Sequence, residues 1–148
     1  TSIFGFNIQP KKGVVEYLIE PLEKRQMVSR YSDQFSTPIY TRDLSTLILE
    51  LLDRGSSGLF HIGGGERVSR CDFAVSVADV FSMHRDMICA VPFHHFEGQA
   101  QRPKDSSLSG KKVERELATR LPHVREGLQR LKTDLTAFRD RPYGREIR

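Results

Sequence analysis

Arg102 is the residue of this 148-residue chain best suited to grip a ligand, and it opens the run "RPKDSSLSGKK". A guanidinium is a planar fork that meets two oxygens of a phosphate or carboxylate at once. Pro103 restricts the backbone of both residues, so the fork is held at lower entropic cost. The glycines at 63–65 follow an apolar run and precede a helical pattern, where a phosphate-cradling loop would sit. Their spacing matches neither the dinucleotide fingerprint nor a Walker loop, so a tight strand-to-helix turn is expected instead. His94 and His95 are adjacent and would point to opposite sides of a strand, and no further ligands complete a metal site. His61, inside an apolar run, is expected as a core histidine. No Gly-x-Ser-x-Gly elbow is present. No tyrosine has a lysine four residues later: Tyr17, Tyr31, Tyr40 and Tyr143 are followed at that distance by Pro21, Phe35, Leu44 and Ile147.

The elements that must position these residues follow from periodicity. "TSIFG" reads as a strand entering a glycine turn. "GVVEYLIEPLEKR" carries Val14, Val15, Leu18, Ile19 and Leu22 at helical spacing, with Pro21 shortening or kinking the helix. "QMVSRY" and "DMICAVP" read as short strands, and "DQFSTP" as a loop. Leu44, Leu47, Ile48, Leu51 and Leu52 form one stripe, which predicts a helix over 41–54, stopped by "GSSG". "GLFHIGGGE" reads as a buried parallel strand ending in a loop. Ser69 and Asp72 have the spacing of a capping box ahead of a helix bearing Phe73, Ala74, Val77, Ala78 and Phe81. A short helix is predicted at 111–118 and a longer one at 122–138. Alternating helices and short strands predict an α/β fold of short parallel strands packed with helices.

Composition narrows the class. The chain is the size of one domain, and its 38 % apolar content supports a core. The net charge of +4 suits anionic small molecules as well as nucleic acid and does not choose between them, but the aromatic-and-basic interleaving of RNA-recognition modules is absent, so no nucleic-acid partner is expected. Cys71 and Cys89 are expected as buried reduced thiols. No run approaches the ~20 apolar residues of a membrane helix, so a cytoplasmic protein with no membrane partner is expected. The chain begins inside an apolar run without Met, and is expected to derive from something longer.

Three stretches in order carry a resemblance: "DQFSTPIYTRDLSTLILELL", "GLFHIGGGERVSRCDFAVSVADVF" and "QRPKDSSLSGKKVERELA". Together, across roughly residues 1–131, they resemble the C-terminal, substrate-binding part of extended short-chain dehydrogenases, most of all the dTDP-dehydrorhamnose reductase branch. The regulatory β subunit of methionine adenosyltransferase is similar in the same way. The resemblance implies a substrate-binding domain over 1–138, a basic tail at 139–148, and a missing N-terminal Rossmann half with the cofactor loop and the Tyr-x-x-x-Lys pair. It implies NADP or NAD in the parent protein and none bound by this chain alone. The implied ligand is a nucleotide sugar, with Arg102 on its diphosphate, and no catalytic residue is assigned in this chain. Ser2 would stand where epimerases place a substrate-contacting asparagine, Asn7 near the substrate entrance, and Gln34 in the 33–38 loop that shapes the pocket. Residues 106–112 would lead back to the body through a helix cap.

Two departures stand out. Ser36 replaces a second arginine found in the epimerases, which argues against a two-arginine clamp. Ile3 replaces a tryptophan facing the sugar in rhamnose-type reductases, removing a stacking platform. A parent reductase of keto-sugars is one implication. A non-catalytic regulatory or interaction subunit is the other. "GLFHIG", without a neighbour, would leave an open edge and an apolar face, so the piece is expected to pair with the missing half or with a second copy.

Overall fold

The computed structural model describes residues 2–6, 12–94 and 101–139. Strand β1 (Ser2–Phe4) leads to helix α1 (Glu16–Glu23), then β2 (Val28–Tyr31), β3 (Phe35–Ser36) and β4 (Pro38–Tyr40). Helix α2 (Thr41–Asp53) follows, then β5 (Val68–Ser69), α3 (Arg70–Phe81), β6 (Ile88–Val91), α4 (Lys111–Leu117) and α5 (Val124–Arg139). The fold is mixed α/β. Strand β1 pairs in parallel with β4, placing Ile3 beside Ile39, and β2 pairs in parallel with β6, placing Arg30 beside Ala90. The third pair, β3 with β5, is antiparallel, unlike the all-parallel expectation. Among the described residues no helix is long and apolar enough to cross a membrane.

Two cores flank β4, whose three residues are all buried. Successive strand side chains point to opposite faces, so Tyr40 joins one core and Ile39 the other. The larger core packs Leu18 and Leu22 of α1, Phe73 and Val77 of α3, and Leu128 and Leu131 of α5. The smaller joins Leu47 and Leu51 of α2 to Val113 and Leu117 of α4. Pro21 lies within the last turn of α1, and Arg25 at φ 53 then ends it, so the helix stays short. The capping box of α3 is formed in both directions: Asp72 N donates to the Ser69 hydroxyl, and Ser69 N to the Asp72 carboxylate.

Several expectations change. Residues 33–38 are not one loop; they hold β3 and the start of β4, too short for any periodicity to show. "GLFHIG" forms no strand: Leu59 is 75 % exposed, His61 is exposed rather than a core histidine, and the run packs through glycine instead. Cys71 is only half-buried and Cys89 is exposed. The apolar face is present, but Ile48, Leu49 and Leu52 of α2 carry it with Leu59. No side chain caps α4, which starts after Gly110. Asn7 lies outside the described residues, as does the 140–148 part of the tail.

The glycine run seams the two cores together. Gly64 N donates to Thr37 O at 3.1 Å and Gly65 N to Pro122 O at 2.9 Å. A Cβ on Gly64 would collide with the Pro38 carbonyl oxygen, which is backbone and has little room to give. Glu66 continues the seam by accepting from Val124 N at the start of α5.

A second seam lays residues 103–106 along β3. Phe35 N donates to Lys104 O at 2.7 Å, and Ser106 N donates to Phe35 O at 3.0 Å. Asp105 anchors it. The Ser107 hydroxyl and N–H, and then Arg67, hold its carboxyl down to about 2. Arg67 pairs with Asp105 at 2.8 Å while lying 3.5 Å over the Phe35 ring.

Two outcomes are expected. Gly64→Ala lowers stability by about 3 kcal/mol, the upper end for overpacking against an unyielding neighbour, whereas Leu59→Ala changes it by less than about 0.5 kcal/mol; urea unfolding measures both. Asp105 has a folded pKa below its unfolded value, so its contribution is present above pH 3.8 and is lost as pH falls towards about 2. Asp105→Asn is therefore expected to flatten that acid limb of the urea midpoint, and a limb as steep as wild type would remove Asp105 from the seam.

Candidate functional site

Strands β1 to β4, helix α1 and the start of α3 surround a pocket of about 470 Å³, counting its open mouth. Phe4, Leu18 and Phe73 give it an apolar floor. Ser2, Ile3 and Ser36 lie on its wall, and Arg30 and Arg70 bring two guanidiniums to it. The parallel register of β1 and β4 sets Ser2 opposite Pro38, and the antiparallel register of β3 and β5 sets Ser36 opposite Val68. Residues distant in sequence are thus brought to one rim. The half-exposed Ile3 presents an aliphatic surface, not a stacking one.

Gln34 is 6 % exposed and does not line the pocket. Its backbone oxygen accepts from Arg70 N at 3.0 Å, and its side-chain oxygen accepts from Arg70 Nε. Its Nε2 donates to Pro103 O at 3.3 Å. Gln34 therefore fastens the start of α3 to the segment bearing Arg102. Asp33 reinforces that link: it accepts from Phe93 N at 2.5 Å and pairs with Lys104 at 3.3 Å. Arg102 itself is exposed next to Pro103 and forms no ion pair among the described residues. Of the four residues singled out from sequence, Ser2 lines the pocket, Gln34 is buried behind it, Arg102 stands on the tethered segment, and Asn7 is outside the description.

Sequence reasoning missed Arg30 and Arg70. Arg30 was one polar residue in a short strand, and Arg70 merely followed the capping serine; only tertiary structure joins them. Burial, and then the charge of Arg70, push the Arg30 guanidinium below its usual range.

Burial, and then its hydrogen bond to Asp134 at 2.7 Å, push the Tyr40 hydroxyl up to about 12. The glycine run does not fit a dinucleotide pyrophosphate, which needs free backbone N–H groups; those of Gly64 and Gly65 are spent on Thr37 and Pro122.

Comparison with known proteins follows the same lines. The probable low-salt glycan biosynthesis reductase Agl14 of Haloferax volcanii is 30 % identical over 128 residues, which are 86 % of this chain and 42 % of that protein. A crystal structure of a hypothetical dTDP-4-dehydrorhamnose reductase from Sulfolobus tokodaii superposes with a TM-score of 0.69 at 29 % identity, over 85 % of this chain and 43 % of that one. The dTDP-4-dehydrorhamnose reductase of Bacillus anthracis, solved in complex with NADP, shares the fold with a TM-score of 0.78 at 23 % identity, over 89 % of this chain and 46 % of that one. The chain spans less than half the length of each of these relatives. Residues 3–137 match the RmlD substrate binding domain, and the chain belongs to that family.

Proposed function

We propose that this chain is the sugar-nucleotide-holding part of a cytoplasmic, NAD(P)-dependent reductase that acts on a nucleotide-linked keto-sugar. The observation that carries this reading is the gathering of Ser2, Ile3 and Ser36 around one pocket, next to the segment that Gln34 tethers through Pro103. Family membership and the glycan reductase among its relatives support the same class of substrate.

In the whole protein a nicotinamide cofactor would supply hydride to the sugar carbonyl. The residues of this chain would bind and orient. Arg102, which forms no ion pair among the described residues, would take phosphate oxygens in a charge-assisted fork. The hydroxyls of Ser2 and Ser36 would hydrogen-bond sugar hydroxyls, with Asn7 at the entrance. Phe4, Leu18 and Phe73 would exclude water beneath the ring. Gln34, spent on Arg70 and Pro103, would position rather than touch the ligand. The apolar residues of α2 would pack on the cofactor-binding half of the parent.

Two measurements test this. Calorimetry with dTDP is expected to show binding by the chain and about tenfold weaker binding by Arg102→Ala, the usual worth of a hydrogen bond to a charged group. Equal affinities would release Arg102 from the role, and no binding to wild type would end the nucleotide reading. Sedimentation velocity is expected to show self-association of the isolated chain that Leu52→Lys abolishes; a monomeric wild type would refute the packing role of α2.

A further inference from the structure

We propose that Arg30 and Arg70 together form an oxyanion site for the diphosphate of the ligand, a two-guanidinium clamp built from positions other than the one that Ser36 leaves vacant. The proposal deepens the nucleotide-sugar reading and rests on it for the identity of the ligand.

Both side chains line the same pocket as Ser36. Arg30 reaches it from β2 and Arg70 from the first turn of α3. Arg30 donates through Nη1 to Ser29 O at 2.8 Å, and Arg70 donates through Nε to the Gln34 side chain. Those bonds use one nitrogen of each fork and leave Nε and Nη2 of Arg30 and both Nη groups of Arg70 with no hydrogen bond among the described residues, available to a ligand in the pocket. Neither arginine has a carboxylate partner among the described residues. The nearest acid in sequence, Asp72, is committed to Ser69, whose hydroxyl and N–H it accepts from.

Arg30 is half-buried and Arg70 exposed beside it, and two neighbouring like charges are unfavourable without a counter-charge; the lowered pKa of Arg30 reflects burial and then this neighbour. A bound oxyanion resolves that tension. A diphosphate suits it better than a carboxylate, because its oxygens are spread over two phosphorus centres and both forks can engage at once. The neighbouring Ser36 hydroxyl adds a small neutral donor beside the two forks.

The test is calorimetry on the 148-residue chain with inorganic pyrophosphate, dTDP and glucuronate, for wild type, Arg30→Gln, Arg70→Gln and Arg30→Lys. Pyrophosphate and dTDP are each expected to bind about tenfold more weakly to either glutamine variant, with Arg30→Lys intermediate because it keeps charge but loses the fork. Without ligand, Arg30→Gln is expected to melt no lower than wild type, since like-charge repulsion is relieved; a merely structural arginine would lower the midpoint. Unchanged dTDP and pyrophosphate binding in both glutamine variants would overturn the site while leaving the nucleotide reading standing. Arginine-dependent pyrophosphate binding without dTDP binding would keep the site and end the nucleotide reading. Absence of both from wild type, or arginine-dependent binding of glucuronate alone, would overturn the diphosphate assignment.

Discussion

The site depends on one buried amide. Gln34 receives the backbone N–H and the Nε of Arg70 and donates to the carbonyl of Pro103. An amide is the side chain for this, because it offers an acceptor and a donor on one rigid plane without charge. A carboxylate could not donate to Pro103, and a hydrocarbon would leave the Arg70 N–H groups and the Pro103 carbonyl to be satisfied elsewhere, at the cost that buried polar groups carry. Through Gln34 three segments, the turn before β3, the start of α3 and the run after Arg102, hold fixed positions around the pocket.

That junction is in turn held by the glycine seam. Thr37 sits between them: its carbonyl accepts from Gly64 N, and its hydroxyl accepts from Leu108 N at 3.1 Å. Strand β4 therefore has a backbone neighbour on each side, β1 in the ladder and the glycines in close contact. A side chain at 64 would separate the two cores at the point where Ile39 and Tyr40 divide between them. The glycine run acts here by letting main chain approach main chain, a role its composition shares with phosphate loops.

What was legible in the sequence was what is local. The stripe at Leu44, Leu47 and Leu51 and the spacing of Ser69 and Asp72 lie within single helices, and α2 and α3 sit within a residue or so of where they are expected. The strand β4 was illegible because three residues buried on both faces have no alternation to show. "GLFHIG" misled because an apolar run marks extended, shielded backbone but cannot say whether a partner strand or a glycine contact shields it. Of the pocket's lining, the residues tied to the ligand from sequence were Ser2, Ile3 and Ser36. Arg102 and Ser2 stood out by residue type or by resemblance, whereas Arg30 and Arg70 meet only because β2 and α3 pack together.

The charges show the same division. Several arginines away from the pocket have an acid close by: Arg42 with Asp134, Arg54 with Glu50, Arg120 with Glu126, Arg130 with Asp43. Exposed pairs of this kind add little stability each, but they cancel charge where no ligand is held. Around Gln34 the pattern reverses. Asp33 and Asp72 are close in sequence to pocket residues and Asp105 to Arg102, yet each is taken by other donors: Phe93 and Lys104, Ser69, and Ser107 with Arg67. Arg30, Arg70 and Arg102 form no ion pair among the described residues, and the first two line the pocket. A net charge of +4 spread evenly would say little about a ligand. Two arginines without an ion pair among the described residues, on one apolar-floored pocket, concentrate positive charge there, as the proposed anionic ligand requires.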